Sequence, residues 1–98
     1  MSGFHSEDLE KFYQAILSLE NEEECSKFFE DICTVKELKD MAQRLGVAKM
    51  LKDGMSYQNV SAQIGASTAT ISRVNRCLVY GNGGYNIVLD RLKGGKSE

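Results

Sequence analysis

The sequence contains no proline, so no residue in it forbids a helix through its backbone. No apolar run approaches the roughly 20 residues that a bilayer-spanning helix needs, which excludes a transmembrane segment. The amino terminus, MSGFHSEDLEKF, has acids where a secretory signal carries cations followed by an apolar stretch. A cytoplasmic protein without membrane contact is therefore expected. His5 is the one histidine, and Cys25, Cys33 and Cys77 lack C-x-x-C spacing, so a zinc site is not expected. Three cysteines, an odd number, suggest reduced thiols. Cys25 and Cys33, eight apart in helical stretches, read as small core residues. No nucleophile has an evident base beside it, so neither catalysis nor a cofactor is expected.

What remains is a chain of 98 residues, 42% hydrophobic and 27% charged, which reads as one globular domain. A domain this small buries a modest fraction of its surface, and a core shared with a second chain would help it. The net charge of −2 hides an asymmetry. Residues 1–40 carry a net −7, residues 41–80 a net +4, and residues 81–98 a net +1. A basic segment beside an acidic one suits a nucleic-acid surface whose remaining faces repel the same partner.

Helical periodicity accounts for most of the chain. Residues 1–8 read as a flexible segment. Leu9, Phe12, Tyr13, Ile16 and Leu17 then form the stripe of an amphipathic helix ending near Leu19. Asn21 and the acids at 22–24 start a second helix, to Cys33, with Cys25, Phe28, Phe29 and Ile32 on one side. Thr34-x-x-Glu37 is a capping box for a third, running from Val35 to about Asp53. Its apolar stripe (Val35, Leu38, Met41, Ala42, Leu45, Ala48, Leu51) is widened by Val47 and Met50, enough for more than one neighbour. VYGNGGYN, residues 79–86, reads as a turn without the lysine and strand–helix order of a phosphate-binding loop. A short last helix holds Ile87, Val88 and Leu92, and residues 93–98 read as a disordered tail. The fold class is all-α, about six helices, with no internal repeat.

Residues 56–78, SYQNVSAQIGASTATISRVNRCL, organise the rest. Val60 and Ile64 give one short helix its apolar face; Ile71, Val74 and Leu78 give the next its own. Gly65 supplies a left-handed turn, Ser67 a cap for the second helix, and small Ser61 room for a close crossing. This is the layout of a helix-turn-helix, whose second helix enters the DNA major groove. An ordinary helical hairpin shares the layout, but an ordinary solvated helix mixes Glu with Lys. Here Thr68, Ala69, Ser72, Arg73, Asn75 and Arg76 face outward, with two cations and no acid. That surface fits phosphates and base edges.

The run from Met55-Ser56 through Gly65-Ala66-Ser67-Thr68-Ala69-Thr70-Ile71-Ser72-Arg73 resembles the DNA-reading half of the Trp repressor family. Tyr13-Gln14-Ala15-Ile16-Leu17, Cys25, Phe28-Phe29-Glu30-Asp31, Ala42-Gln43-Arg44-Leu45 and the stretch to Leu78 resemble its YerC/YecD-type branch in Gram-positive bacteria. The resemblance covers residues 9–92. It implies an intertwined, all-helical homodimer that binds a palindromic operator in double-stranded DNA as a transcriptional regulator, and a long third helix packed on its counterpart.

In that frame Ser56 and Gln58 would hold phosphates at the start of the first motif helix. Ser67, Thr68, Ala69 and Thr70 would reach base edges, with Ser72 beside them. Arg73 and Arg76, one turn on, suit phosphates or guanine. The resemblance also implies an effector pocket at Arg44, Arg73 and Cys77. In the Trp repressors the indole lies between two arginines. Arg73 matches one, whereas ungapped alignment puts Gln43 at the other, and Arg44 reaches it only by a one-residue shift. Val74 stands where that family has glycine, and Cys77 where it has a serine. L-tryptophan is therefore not expected as corepressor, and the effector stays open. A second reading is a helix-turn-helix protein-interaction module within a transcription complex, with the acidic amino-terminal half facing the partner.

Overall fold

The computed structural model describes residues 6–96, with side chains to residue 93. Among the described residues there are six helices and no strand: α1 (Glu7–Leu17), α2 (Glu22–Ile32), α3 (Val35–Lys52), α4 (Tyr57–Ile64), α5 (Thr68–Tyr80) and α6 (Gly84–Lys96). No helix among them is long and apolar enough to cross a membrane.

Local chemistry sets the helix starts. Ser6 accepts the Leu9 amide at 3.1 Å and Asn21 accepts that of Glu24 at 2.9 Å. At α3 the capping box closes in both directions: the Glu37 amide donates to Thr34 Oγ1 at 3.0 Å, and the Thr34 amide to Glu37 Oε1 at 2.8 Å. Each such cap occupies amides that have no partner inside the helix.

The chain divides into two compact units, one reaching Leu38 and the other starting at Lys39. In the first, Phe12 packs on Phe28 with ring centroids 6.3 Å apart, and Phe28 meets Phe29 edge-on at 5.3 Å. Neither α1 nor α2 has a fully buried residue. Cys25, expected in a core, is exposed, and Cys33 is half-buried. Ile32, on the same stripe as Cys25, is 51% exposed, so this face is left open. Leu17 is 83% exposed, and Val35, which opens α3, is 72% exposed.

The second unit holds the core: Val47, Ala48, Val60, Ala66, Ile71, Val74 and Leu89. Burying a side chain of the valine or leucine class contributes about 1.5–3 kcal/mol relative to exposure. Leu45, Met50, Leu51, Met55, Ile64, Leu78 and Tyr85 pack around it, half-buried. The wide stripe of α3 is thus fully covered only at Val47 and Ala48; Met41, two turns earlier, is open.

Three boundaries differ from those read in the sequence. The turn expected over residues 79–86 is confined to 81–83, because α5 continues to Tyr80 and Gly84 already begins α6. Gly83, at φ +88°, supplies the left-handed position of that turn. Of the flexible segment expected over residues 1–8, Glu7 and Asp8 already lie in α1, and residues 1–5 lie outside the described residues. Of the tail expected at 93–98, residues 93–96 extend α6 and residues 97–98 lie outside the described residues.

Candidate nucleic-acid interface

The α4–turn–α5 unit follows from its sequence in detail. Ser56 caps α4, its hydroxyl oxygen accepting the Asn59 amide at 3.2 Å. Gly65 ends α4 at φ +75°, ψ +16°, in the left-handed region where a side chain is strained. The Ser61 hydroxyl donates to the Ala66 carbonyl at 3.1 Å, fixing the turn from inside. Val60, Ile71 and Val74 sit fully in the core, so the apolar faces read in the sequence do meet.

That packing leaves the remaining face of α5 outward. Thr68, Ala69, Ser72, Arg73 and Arg76 are exposed, while Thr70 and Asn75 are half-buried. Ser67 caps α5 by accepting the Thr70 amide at 3.1 Å, and its own proton goes to Thr70 Oγ1, also at 3.1 Å. The Ser67 hydroxyl is therefore engaged on both sides, orienting Thr70. Ser56 and Gln58 are exposed in the first turn of α4. Six of these positions thus gather at two helix starts, where unpaired amides and the positive end of the helix dipole attract phosphate.

The electrostatics agree. Neither α4 nor α5 contains a carboxylate. Among the described residues no acid pairs with Arg73 or Arg76. Asp53, the single acid in residues 41–80, is bound by Lys49 at 2.9 Å. The Lys49 hydrogen bond and charge, with Lys93 adding to them, hold its carboxyl below the usual range, so it stays ionised and paired.

At the implied effector pocket, Arg44, Arg73 and Cys77 are all exposed. Val74 is 1% exposed and belongs to the core, which is why a branched side chain stands there. Gln43 has a partner that sequence reasoning missed: its Nε2 donates to the Ile64 carbonyl at 3.4 Å. Asn86 likewise donates to the Leu78 carbonyl at 3.4 Å. Gln43 and Ile64 are 21 residues apart, and no local pattern signals such a bond.

A two-helix reader with an outward, acid-free second helix, carried on an all-helical scaffold, defines a helix-turn-helix protein of the DNA-binding class. The Trp repressor protein family model matches residues 7–93. The chain belongs to that family, a family of DNA-binding regulators rather than enzymes. It is 50% identical over 91 residues to the uncharacterized protein YerC of Bacillus subtilis, covering 93% of this chain and 88% of that protein. A crystal structure of a candidate Trp repressor from Staphylococcus aureus superposes with TM-score 0.87 at 51% identity, over 90% of this chain and 88% of the other. A TrpR-like protein from Eubacterium eligens superposes with TM-score 0.92 at 47% identity, over 95% and 96%. These neighbours place the chain among YerC-type members of the family.

Proposed function

We propose that the chain is a sequence-specific transcriptional repressor that binds a palindromic operator as a homodimer in the bacterial cytoplasm. The observation that carries this reading is the outward face of α5, exposed at Thr68, Ala69, Ser72, Arg73 and Arg76 and free of carboxylates along its whole length. Thr68, Ala69 and Thr70 meet base edges, where methyl groups suit thymine and hydroxyls suit donors or acceptors. Ser67 serves them by capping the helix and orienting Thr70. Arg73 and Arg76, with Ser72 between them in sequence, take phosphates or guanine; Ser56 and Gln58 hold the backbone from α4.

The homodimer rests on what one chain leaves uncovered. Leu17, Ile32, Val35 and Met41 are exposed large hydrophobics. Large apolar side chains left open in this number on a small domain mark an interface. Two-fold symmetry then presents two copies of α5 to half-sites about 34 Å apart, one turn of DNA.

The site does not favour L-tryptophan as corepressor. Buried Val74 occupies the volume a glycine would leave, and Gln43 is engaged by the Ile64 carbonyl.

Binding of a fluorescent duplex, measured against salt, tests the DNA reading. The logarithm of affinity should fall linearly with the logarithm of salt, at a slope near −0.9 per phosphate neutralised. A slope near zero would favour the second reading, a protein-interaction module, for which the exposed acidic α1–α2 unit would supply the surface.

A further inference from the structure

The joint between α3 and the end of α4 contains a feature that helix propensity opposes. Gly46 lies inside α3, where alanine would make a better helix. Its backbone is ordinary helix, since the positive-φ glycines are Gly54, Gly65 and Gly83. What it avoids is a collision: a Cβ at position 46 would stand 2.7 Å from Ile64 Cδ1, closer than the 3.0 Å that real Cβ atoms respect. Ile64 is the last residue of α4, directly before the left-handed Gly65. One turn earlier on α3, Gln43 bonds the carbonyl of the same Ile64, and Val47 beside Gly46 is fully buried. Two neighbouring positions of α3 therefore act on one residue of the motif, by a missing side chain and a hydrogen bond, beside the buried core.

We propose that the Gly46–Ile64 contact is a positioning device that seats the end of α4 against α3 and so sets where α5 presents its reading face. This rests on the DNA-binding reading. Ile64 is stiff at χ1 and packs against the core, so Cδ1 yields about χ2 only as far as its core neighbours allow. A methyl at 46 displaces Ile64, and the displacement passes through residues 65–67 into the first turn of α5. Seated this way by residues of its own chain, the motif holds its geometry with no small molecule between α3 and α5.

The test is a rescue series measured on the intact chain. In Gly46→Ala the gain in helix propensity and the crowding of Ile64 oppose each other, so thermal stability should change little. The substitution should nonetheless weaken operator binding by about fivefold, the cost of one displaced side chain, at an unchanged salt slope. Ile64→Val removes Cδ1, so the Gly46→Ala, Ile64→Val double variant should bind again as Ile64→Val alone does. Backbone amide resonances of residues 65–70, recorded without DNA, should shift in Gly46→Ala and return in the double variant. Wild-type affinity and unshifted amides in Gly46→Ala would overturn the proposal, as would a loss that the double variant fails to repair. A wild-type chain that binds no DNA would sink the functional reading, while the amide shifts alone would still decide for or against the joint.

Discussion

Ser61 and Ala66, five residues apart, are tied across the turn of the helix-turn-helix by a 3.1 Å hydrogen bond from hydroxyl to carbonyl. The bond joins the interior of α4 to the residue just after Gly65, where the backbone has left the helix and its carbonyl needs a donor. Ala66 is itself 3% exposed, so water is a poor substitute.

Ser61→Ala should therefore cost about 1 kcal/mol, the typical net worth of such a bond. In a domain of this size that lowers the melting temperature by roughly 4–8 °C. A thermal melt by circular dichroism checks it; an unchanged midpoint would mean that water replaces the hydroxyl without loss.

Arg73→Ala and Thr70→Ala should fail in different ways. Without a phosphate cation, binding weakens on all sequences and the salt slope shrinks by about one unit. Loss of the Thr70 hydroxyl and methyl should instead relax discrimination at one operator position, by about 1–3 kcal/mol. Titrations on the operator, on single-base variants and at several salt concentrations separate the two. Equal affinity and slope for Arg73→Ala would remove that arginine from the interface.

The distinction between local and long-range chemistry decides how much was legible in the sequence. The capping box of Thr34 and Glu37, the caps at Asn21 and Ser67, and the left-handed Gly65 are set within three or four residues, and each is found as read. The outward face of α5 was readable because Ile71 and Val74 fix the inward one. The bonds from Gln43 to Ile64 and from Asn86 to Leu78 were not, since they depend on how α3 meets α4 and how α6 packs on α5. Three closely spaced glycines overstated the last turn, because Gly84 opens a helix rather than continuing the loop. Helical spacing reads Cys25 as a core residue, yet it is exposed, because spacing says only that a face is apolar and not which chain covers it.

That open face predicts a dimer whose mass is twice the 10.9 kDa of the chain. Leu17→Asp would be nearly neutral in a monomer, where the side chain is 83% exposed and surface changes stay within about 0.5 kcal/mol. In a dimer that covers this face, it buries an unpaired charge and should split the assembly. Light scattering on a sizing column at micromolar concentration reads both. A wild-type monomer would contradict the dimer and the half-site spacing together.

L-tryptophan at millimolar concentration should give no binding heat, and DNA affinity should not change in its presence. Filling the glycine space with Val74 and weakening two polar contacts should together cost several kcal/mol, or over a hundredfold in affinity. Titration calorimetry checks this, and a micromolar dissociation constant would mean that Val74 does not block the ligand.

The central claim is that two copies of α5 read a symmetric DNA site. Selection of bound sequences from a random duplex pool tests it most directly. The expected result is an enriched palindrome whose half-sites lie about one helical turn apart, lost when Thr68, Ala69 and Thr70 are replaced together. A pool that stays random through repeated rounds, or an enriched site with no two-fold symmetry, would contradict it.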